Sequence, residues 1–217
     1  MDVAKFVGFK LNKKKITIPT IFGSGSEVTK ISVLKVDKKK QSFHDDKIFA
    51  DVAIIDPTFM KSTPKKIIND AIVDSCAQST EAYDSKNSNM YTKFLCKTGF
   101  ENIERGLMEL NNEKIIFGTL LTGLGFGNAS TTLGHALSYV FSNEGFSHGH
   151  ALAFTTQAAH KFNNSIFLDR FKKIIADLKF EKINLKSNFD DAAEVILQDK
   201  KHLDNNPKKV TKEDIIN

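Results

Sequence analysis

From Pro64 onward the chain shows one helical pattern after another, and this run constrains the fold more than any other feature of the sequence. The first pattern spans 65–85, and its apolar residues are Ile67, Ile68, Ile72, Ala77 and Ala82. Further segments, separated by short polar or glycine breaks, span 91–110, 112–128, 130–142, 149–162, 165–178 and 188–203. The spacing predicts a bundle of about seven helices that begins near residue 61.

The first sixty residues show a different pattern. "MDVAKFVGFK" predicts an amphipathic helix with Asp2 near its start, and "KKITIPTIF" predicts a short strand that ends at Pro19. "KISVLKV" (30–36) alternates as a strand does, and "DVAIIDP" (51–57) is typical of a buried strand. We therefore predict an α/β segment in residues 1–60 and a helical domain in residues 61–217. Two or three strands are too few to be stable alone, which suggests that the α/β segment is part of a larger domain.

Composition excludes several classes of protein. The hydrophobic fraction of 41% and the charged fraction of 26% are typical of soluble globular chains. No apolar stretch is long enough for a membrane span and no secretory leader is apparent, so we expect a cytoplasmic protein without membrane contact. Cys76 and Cys96 lack metal-finger spacing and predict reduced thiols. The lysines behind the net charge of +5 are scattered among acidic residues, which predicts a solvated surface and no nucleic-acid partner.

A set of polar residues within the helical patterns has the chemistry of a metal site. Asp74 and Gln78 are four residues apart on one face of a predicted helix, with Glu81 three residues further on. His135 begins another helix and His148 precedes the next. Carboxylate, imidazole and amide groups form a mixed nitrogen and oxygen set that suits Fe(II) or Zn(II). Spacing alone leaves open a simpler alternative, in which these residues form a solvated helix pair and a helix cap.

Five motifs, in order along the chain, resemble the iron-containing alcohol dehydrogenase family. They are "IPTIFGSGSEVT" (18–29), "AIIDP" (53–57), "DSCAQSTEAYDS" (74–85), "TTLGHALSYVFSNEGFSHGHA" (131–151) and "NNPKKVTKEDI" (205–215). The resemblance implies the architecture shared with dehydroquinate synthase-like proteins, an α/β domain followed by an all-α helical bundle. "MDVAK" is similar to the end of the family's GGGSxxDxAK loop. We therefore expect an N-terminally truncated chain, in which the front of the dinucleotide-binding domain is missing.

The resemblance also implies which residues form the site. The family's metal ligands correspond to Asp74, Gln78, His135 and His148. Gln78 stands where the family usually has histidine, and Tyr139 stands where it has a second, catalytic-site histidine. This combination is similar to a subgroup that reduces phosphonoacetaldehyde. We expect Tyr139 and His150 at the catalytic site, although His150 has an equal alternative as a helix residue that faces water.

The implied cofactor is NAD(H) or NADP(H), bound beside the metal. By resemblance, its contacts are Asp2, Thr20, Ser24, Ser26 and Lys40. The glycines of "GSGSEVT" (23–29) have an alternative explanation as an ordinary tight turn. Because the glycine-rich loop that holds the pyrophosphate in the family is absent, we expect weak turnover or none from this chain.

The expected function is therefore that of a metal-dependent, NAD(P)-linked oxidoreductase. It would interconvert a small aldehyde and a primary alcohol by hydride transfer, with phosphonoacetaldehyde and 2-hydroxyethylphosphonate as one candidate pair. The alternative is a non-catalytic, metal-binding helical fragment that cannot hold the dinucleotide. The sequence leaves the oligomeric state open, with a homodimer as one expectation.

Overall fold

The computed structural model describes residues 1–36 and 39–216. Within these residues the α-helices are α1 (Asp2–Lys10), α2 (Lys65–Asp84), α3 (Met90–Glu109), α4 (Asn112–Ala129), α5 (Leu133–Asn143), α6 (His148–Asn163), α7 (Leu168–Leu178), α8 (Phe189–Leu197), α9 (Lys200–Asn205) and α10 (Lys212–Ile216). The strands are β1 (Ile16–Thr17), β2 (Ile31–Val36), β3 (Lys39–His44) and β4 (Val52–Ala53). An α/β segment therefore precedes a helical domain, and the predicted fold class is confirmed.

The α/β segment contains two small sheets. Strand β1 pairs in parallel with β4, with Ile16 opposite Val52. Strands β2 and β3 form an antiparallel hairpin in which Ile31 lies opposite His44. No described residue covers the outer side of the parallel pair well enough to bury it, since Ile16 and Val52 are 65% and 49% exposed.

One buried lysine joins the first helix to the segment that follows β1. The ammonium of Lys5 donates hydrogen bonds to the carbonyl oxygens of Ser26 (2.5 Å), Thr29 (2.8 Å) and Ile31 (2.7 Å). Its side chain is fully buried. Burial lowers the pKa of Lys5 to about 8, against the attraction of Asp2 and Glu27. These contacts fix α1 against the edge of the hairpin.

Helix α2 lies at the centre of the helical domain. It packs against α3, α4, α5, α6 and α7, and its residues from Ser75 to Ala82 are all buried. Its apolar side chains join a core with Phe100 and Phe171. Because α2 is buried on every side over residues 75–82, the polar residues of this stretch need partners inside the protein, which favours a polar network around them.

The sequence patterns predict the helices of this chain better than its strands. The predicted helices are confirmed, although segment 188–203 contains two helices, α8 and α9, because Asp199 caps a new helix start. Strand β3, in a lysine-rich stretch, was not predicted. The expectation of a buried strand at 51–57 is wrong, because only Val52–Ala53 pairs and Val52 is exposed. Both cysteines are free, as predicted, and the structure buries both of them.

None of the described helices is long and apolar enough to cross a membrane. The domain boundary near residue 60 stays a prediction.

Candidate metal centre

Three helices bring a carboxylate and two imidazoles together. Asp74 comes from α2, His135 from α5 and His148 from the first turn of α6. Asp74 Oδ1 lies 3.6 Å from His135 Nε2 and 3.8 Å from His148 Nε2. One ligand atom from each residue lies within 4.8 Å of the others. In the described part of the chain this is the one cluster of its kind, and its atoms have the separation of ligands around a single ion.

Gln78, one turn along α2, borders the same space. Its amide nitrogen donates to Asp74 Oδ1 at 2.9 Å, while its amide oxygen is buried without a hydrogen-bond partner. An unpaired buried acceptor costs about 1–3 kcal/mol. Rotation of the amide by 180° would direct this oxygen towards Asp74, and a cation between the two oxygens would stabilise that orientation. The orphaned oxygen of Gln78 therefore fits a metal ion at this place.

A second carboxylate supports His135 from the side opposite the cluster. Glu81 Oε2 lies 3.2 Å from His135 Nδ1 and accepts a hydrogen bond from the Thr132 backbone N–H at 2.6 Å. Burial raises the pKa of Glu81, but His135 and Thr132 outweigh burial and lower it to about 2. Glu81 therefore stays ionised and favours a proton on Nδ1, which leaves Nε2 for a metal, the usual arrangement of a ligating histidine.

The charge balance of the cluster also favours a cation. Burial alone lowers the pKa of His135, but the carboxylates of Glu81 and Asp74 outweigh it and raise the pKa to about 9. The two carboxylates thus stabilise positive charge at the imidazole. The same two carboxylates would stabilise the positive charge of a divalent ion bound at Nε2. The residues present therefore fit Fe(II) or Zn(II).

Two glycines allow the three helices to approach each other. A side-chain carbon at Gly134 would lie 2.1 Å from Glu81 Oε1, and one at Gly149 would lie 2.1 Å from the carbonyl oxygen of Asp70. Each glycine directly precedes or follows a histidine of the cluster. The glycines thus let α5 and α6 pack closely against α2, and they help to set the separation of the ligand atoms.

Aromatic side chains form the wall beside the cluster. Tyr139 stacks against His148 with 6.4 Å between ring centroids. His202, which the sequence did not single out, lies 6.1 Å from the His135 ring and 5.9 Å from the Tyr139 ring. Its Nδ1 is 2.6 Å from Asp199 Oδ2. No spacing connects His202 with residues sixty or more positions earlier, so only the fold reveals its place.

A cleft of about 250 Å³ joins the metal cluster to the α/β segment. The residues that line it include Asp2, Ser24, Ser26, Ser42, Asp74, Gln78, His135, Tyr139, His148, Lys201 and His202. The cluster therefore opens towards the residues predicted to bind a dinucleotide. A ligand in the cleft would contact both parts of the chain.

A neighbouring groove of about 550 Å³ contains most of the predicted cofactor residues. Asp2, Thr20, Ser24 and Ser26 all line it. The carboxylate of Asp2 accepts hydrogen bonds from the Ser26 hydroxyl and, at 3.0 Å, from the Val33 N–H. Asp2 thus holds the start of α1 against Ser26 and Val33 and helps to shape the groove. The side chain of Lys40, the fifth predicted residue, lies outside what the structure describes.

The loop of residues 23–29, which borders the groove, packs against the helical domain. Gly25 has a φ of +62°, in the left-handed region that favours glycine. A side-chain carbon there would lie 2.8 Å from Gly123 Cα of α4. Turn geometry and close packing therefore account for Gly25, as the tight-turn alternative supposed, and the hydroxyls of Ser24 and Ser26 remain at the groove.

His150 lies apart from the cluster. Its Nε2 is 2.6 Å from the carbonyl oxygen of Glu181, and its ring contacts Phe146, Phe154 and Phe180. It is not among the residues that line the cleft. This placement gives the expected catalytic role no support and assigns His150 to packing between α6 and the segment after α7.

The fold and the cluster together define a class: an α/β segment joined to a helical domain with a candidate metal centre at the junction. Sequence profiles agree with that class. The profile of the iron-containing alcohol dehydrogenases matches residues 1–57, and that of the C-terminal region of the Fe-containing alcohol dehydrogenase family matches residues 68–198. The chain belongs to the iron-containing alcohol dehydrogenase family.

The relatives that the chain matches are named for different activities. The chain is 35% identical over 153 residues to 4-hydroxybutyrate dehydrogenase of Clostridium kluyveri, covering 64% of this chain and 41% of that protein. It is 36% identical over 133 residues to long-chain-alcohol dehydrogenase 1 of Geobacillus thermodenitrificans, covering 58% and 34%. Sulfoacetaldehyde reductase of Bifidobacterium kashiwanohense, solved with NAD+, shares the fold with a TM-score of 0.84 at 23% identity, covering 94% and 63%. The chain thus spans less than half of the length of these two curated relatives.

Proposed function

We propose that this chain carries the metal-binding half of the active site of an NAD(P)-linked oxidoreductase that interconverts small aldehydes and primary alcohols. The observation that carries the proposal is the cluster of Asp74, His135 and His148 at the end of a cleft that reaches the predicted cofactor residues. When bound, Fe(II) or Zn(II) supplies Lewis acidity to the substrate oxygen and NAD(P)H supplies the hydride.

The residues of the chain have separate roles in this proposal. Asp74, His135 and His148 would hold the metal, with the Gln78 amide oxygen as a fourth ligand. Glu81 keeps a proton on His135 Nδ1 and so orients the imidazole. Tyr139 lines the cleft and restricts the space beside the metal. Burial raises the pKa of Tyr139 to about 12, so its hydroxyl keeps its proton at neutral pH.

The hydroxyl-lined groove supports a dinucleotide as the second ligand. Thr20, Ser24 and Ser26 border a space of about 550 Å³ next to the start of α1. Hydroxyls and the free N–H groups of a helix N-terminus both suit phosphate oxygens. We propose NAD(H) or NADP(H) there, with Lys40 as a further contact.

The substrate class in this proposal is a short aldehyde with an acid group, such as phosphonoacetaldehyde. Gln78 and Tyr139, which replace the family's usual histidines, support membership in the phosphonoacetaldehyde-reducing subgroup. Relatives named for 4-hydroxybutyrate and sulfoacetaldehyde have acidic substrates in their names as well. A homodimeric assembly, a cytoplasmic location and a domain boundary near residue 60 belong to the same proposal.

The test combines metal analysis with turnover. The full chain, prepared anaerobically with Fe(II) or Zn(II), should retain about one metal ion per chain by mass spectrometry, as expected for a single set of ligands. NADH or NADPH oxidation is then measured with phosphonoacetaldehyde, sulfoacetaldehyde and propanal. Turnover that disappears on chelation and returns with metal would support the proposal.

Two outcomes separate the alternatives. A chain that retains the metal but oxidises neither nicotinamide with any aldehyde would favour the non-catalytic metal-binding fragment. A chain that retains no metal under any condition would contradict the site itself.

A further inference from the structure

Lys201 lies in the wall of the cleft that contains the metal cluster. Among the described residues that line this cleft it is the one lysine or arginine. It belongs to α9, next to His202, whose ring faces His135 and Tyr139. Among its described lining residues, the cleft thus combines a candidate metal site with one lysine ammonium.

A neutral partner holds the ammonium of Lys201 in place. Its Nζ donates to His44 Nε2 at 3.0 Å, and the Ser42 hydroxyl approaches the same nitrogen at 2.7 Å. Partial burial and the nearby Lys201 lower the pKa of His44 to about 4, so the imidazole is uncharged at neutral pH. This hydrogen bond therefore orients the ammonium without neutralising it.

No carboxylate among the described residues forms an ion pair with Lys201. The nearest acidic neighbour in sequence, Asp199, directs Oδ2 to His202 Nδ1 at 2.6 Å and Oδ1 to the His202 N–H at 3.3 Å. An ammonium carries three donors, and His44 uses one of them. Donors and charge remain available for a ligand that enters the cleft.

We propose that Lys201 determines substrate specificity by binding the acid group of a short aldehyde, whether carboxylate, sulfonate or phosphonate. The inference rests on the proposed function, because it assumes that the aldehyde oxygen faces the metal cluster. A compact ammonium suits such groups as a point charge, and it acts strongly in a cleft from which water is partly excluded.

The kinetic test compares Lys201→Met with Lys200→Met in the full chain. Lys200 is exposed in the same helix and does not line the cleft, so it controls for lost charge and for helix stability. We expect Lys201→Met to raise KM for sulfoacetaldehyde by about 10- to 100-fold, the range for a lost charged hydrogen bond. KM for propanal and for NAD(P)H should stay unchanged, and Lys201→Arg should restore most of the sulfoacetaldehyde KM.

A binding test does not depend on turnover. Calorimetry of the zinc-loaded chain with ethanesulfonate, an unreactive analogue, should show affinity that Lys201→Met reduces at least tenfold and Lys200→Met leaves intact. If no aldehyde is reduced but this difference remains, the proposed function fails while the anion site stands.

Three results would overturn the inference. Equal KM increases for propanal and sulfoacetaldehyde would show a structural role for Lys201. A rise in KM confined to NAD(P)H would show that the Lys201 ammonium binds a cofactor phosphate instead of the substrate. Unchanged sulfoacetaldehyde KM and ethanesulfonate affinity would show that the acid group binds elsewhere.

Discussion

In the helical region, the residues around the candidate metal centre are held by the packing of α2, α5 and α6, and His135 and Gln78 are 6% and 5% exposed. The groove beside it is built differently. It is bordered by α1 and β1, whose apolar side chains Val3 and Ile16 are 66% and 65% exposed. The residues around the cluster are buried by packing within the described chain, whereas the groove leaves apolar side chains on its border open to solvent.

This difference separates two kinds of pre-organisation. Around the cluster, polar contacts such as that of Glu81 with His135 lie inside a packed core. There the hydrogen bonds form a network that fixes the positions of the groups in it. At the groove, Lys5 and Asp2 hold the backbone through hydrogen bonds, but little packing supports the outer face. We expect metal binding to be a property of the helical region alone, and cofactor binding to depend on how firmly the α/β segment is held.

The largest expected effect comes from removing a metal ligand. Asp74→Ala should abolish binding of the single metal ion, because it removes the one carboxylate of the proposed ligand set and leaves two imidazoles and a weakly binding amide. Metal content by mass spectrometry measures it, with Asp177→Ala, an exposed carboxylate on α7, as the control. Full metal retention in Asp74→Ala would contradict the expectation that the packed cluster in the helical region holds the metal.

Removing the carboxylate behind His135 should have a smaller effect. Glu81→Gln takes away the charge that favours a proton on Nδ1, and we expect metal affinity to fall about 10- to 100-fold. Competition with a chelator of known affinity measures the change. Glu104→Gln, which breaks an ion pair with Arg170, should leave the affinity intact. Similar losses in both variants would point to general destabilisation.

Close packing of α5 against α2 gives a third prediction. Gly134→Ala places a carbon against Glu81 and the backbone of Thr156, so the free energy of unfolding should fall by about 1–3 kcal/mol, despite alanine's better helix propensity. Urea unfolding measures this change. In Gly127→Ala the nearest neighbour is the methyl group of Thr29 at 3.0 Å, a less severe contact than the 2.1 Å at Gly134, and the loss should be smaller. A Gly134→Ala variant as stable as the wild type would show that α5 adjusts freely.

The smallest expected effect is the pH dependence from Lys5. Burial lowers its pKa in the folded chain to about 8, below its ordinary value of 10.5. The unfolded chain therefore binds more protons between these values, and this group makes stability rise as pH increases through the window. Urea unfolding at several pH values should show a rise that Lys5→Met lacks. The control is Lys10→Met, a more exposed lysine in α1, and it should keep the rise.

The sequence predicted elements that rest on local patterns and missed those that rest on distant contacts. The helical periodicity after Pro64 gave the helices of the bundle, and the spacing of Asp74 and Gln78 placed both on one face. The strand at 51–57 was overestimated because its apolar run gave no sign that its partner strand would be short and uncovered. His202 and Lys201 reach the cleft only because α9 folds back beside α5, which no local pattern records.

The proposed function depends above all on the binding of one metal ion by Asp74, His135 and His148. X-ray absorption spectroscopy of the zinc-loaded full chain tests it most directly, because the method reports the atoms bound to the ion. We predict that nitrogen and oxygen atoms surround the ion, with two imidazoles and no sulfur, and that His135→Ala loses one imidazole or the metal. A sulfur-containing shell, or a spectrum unchanged in His135→Ala, would contradict it.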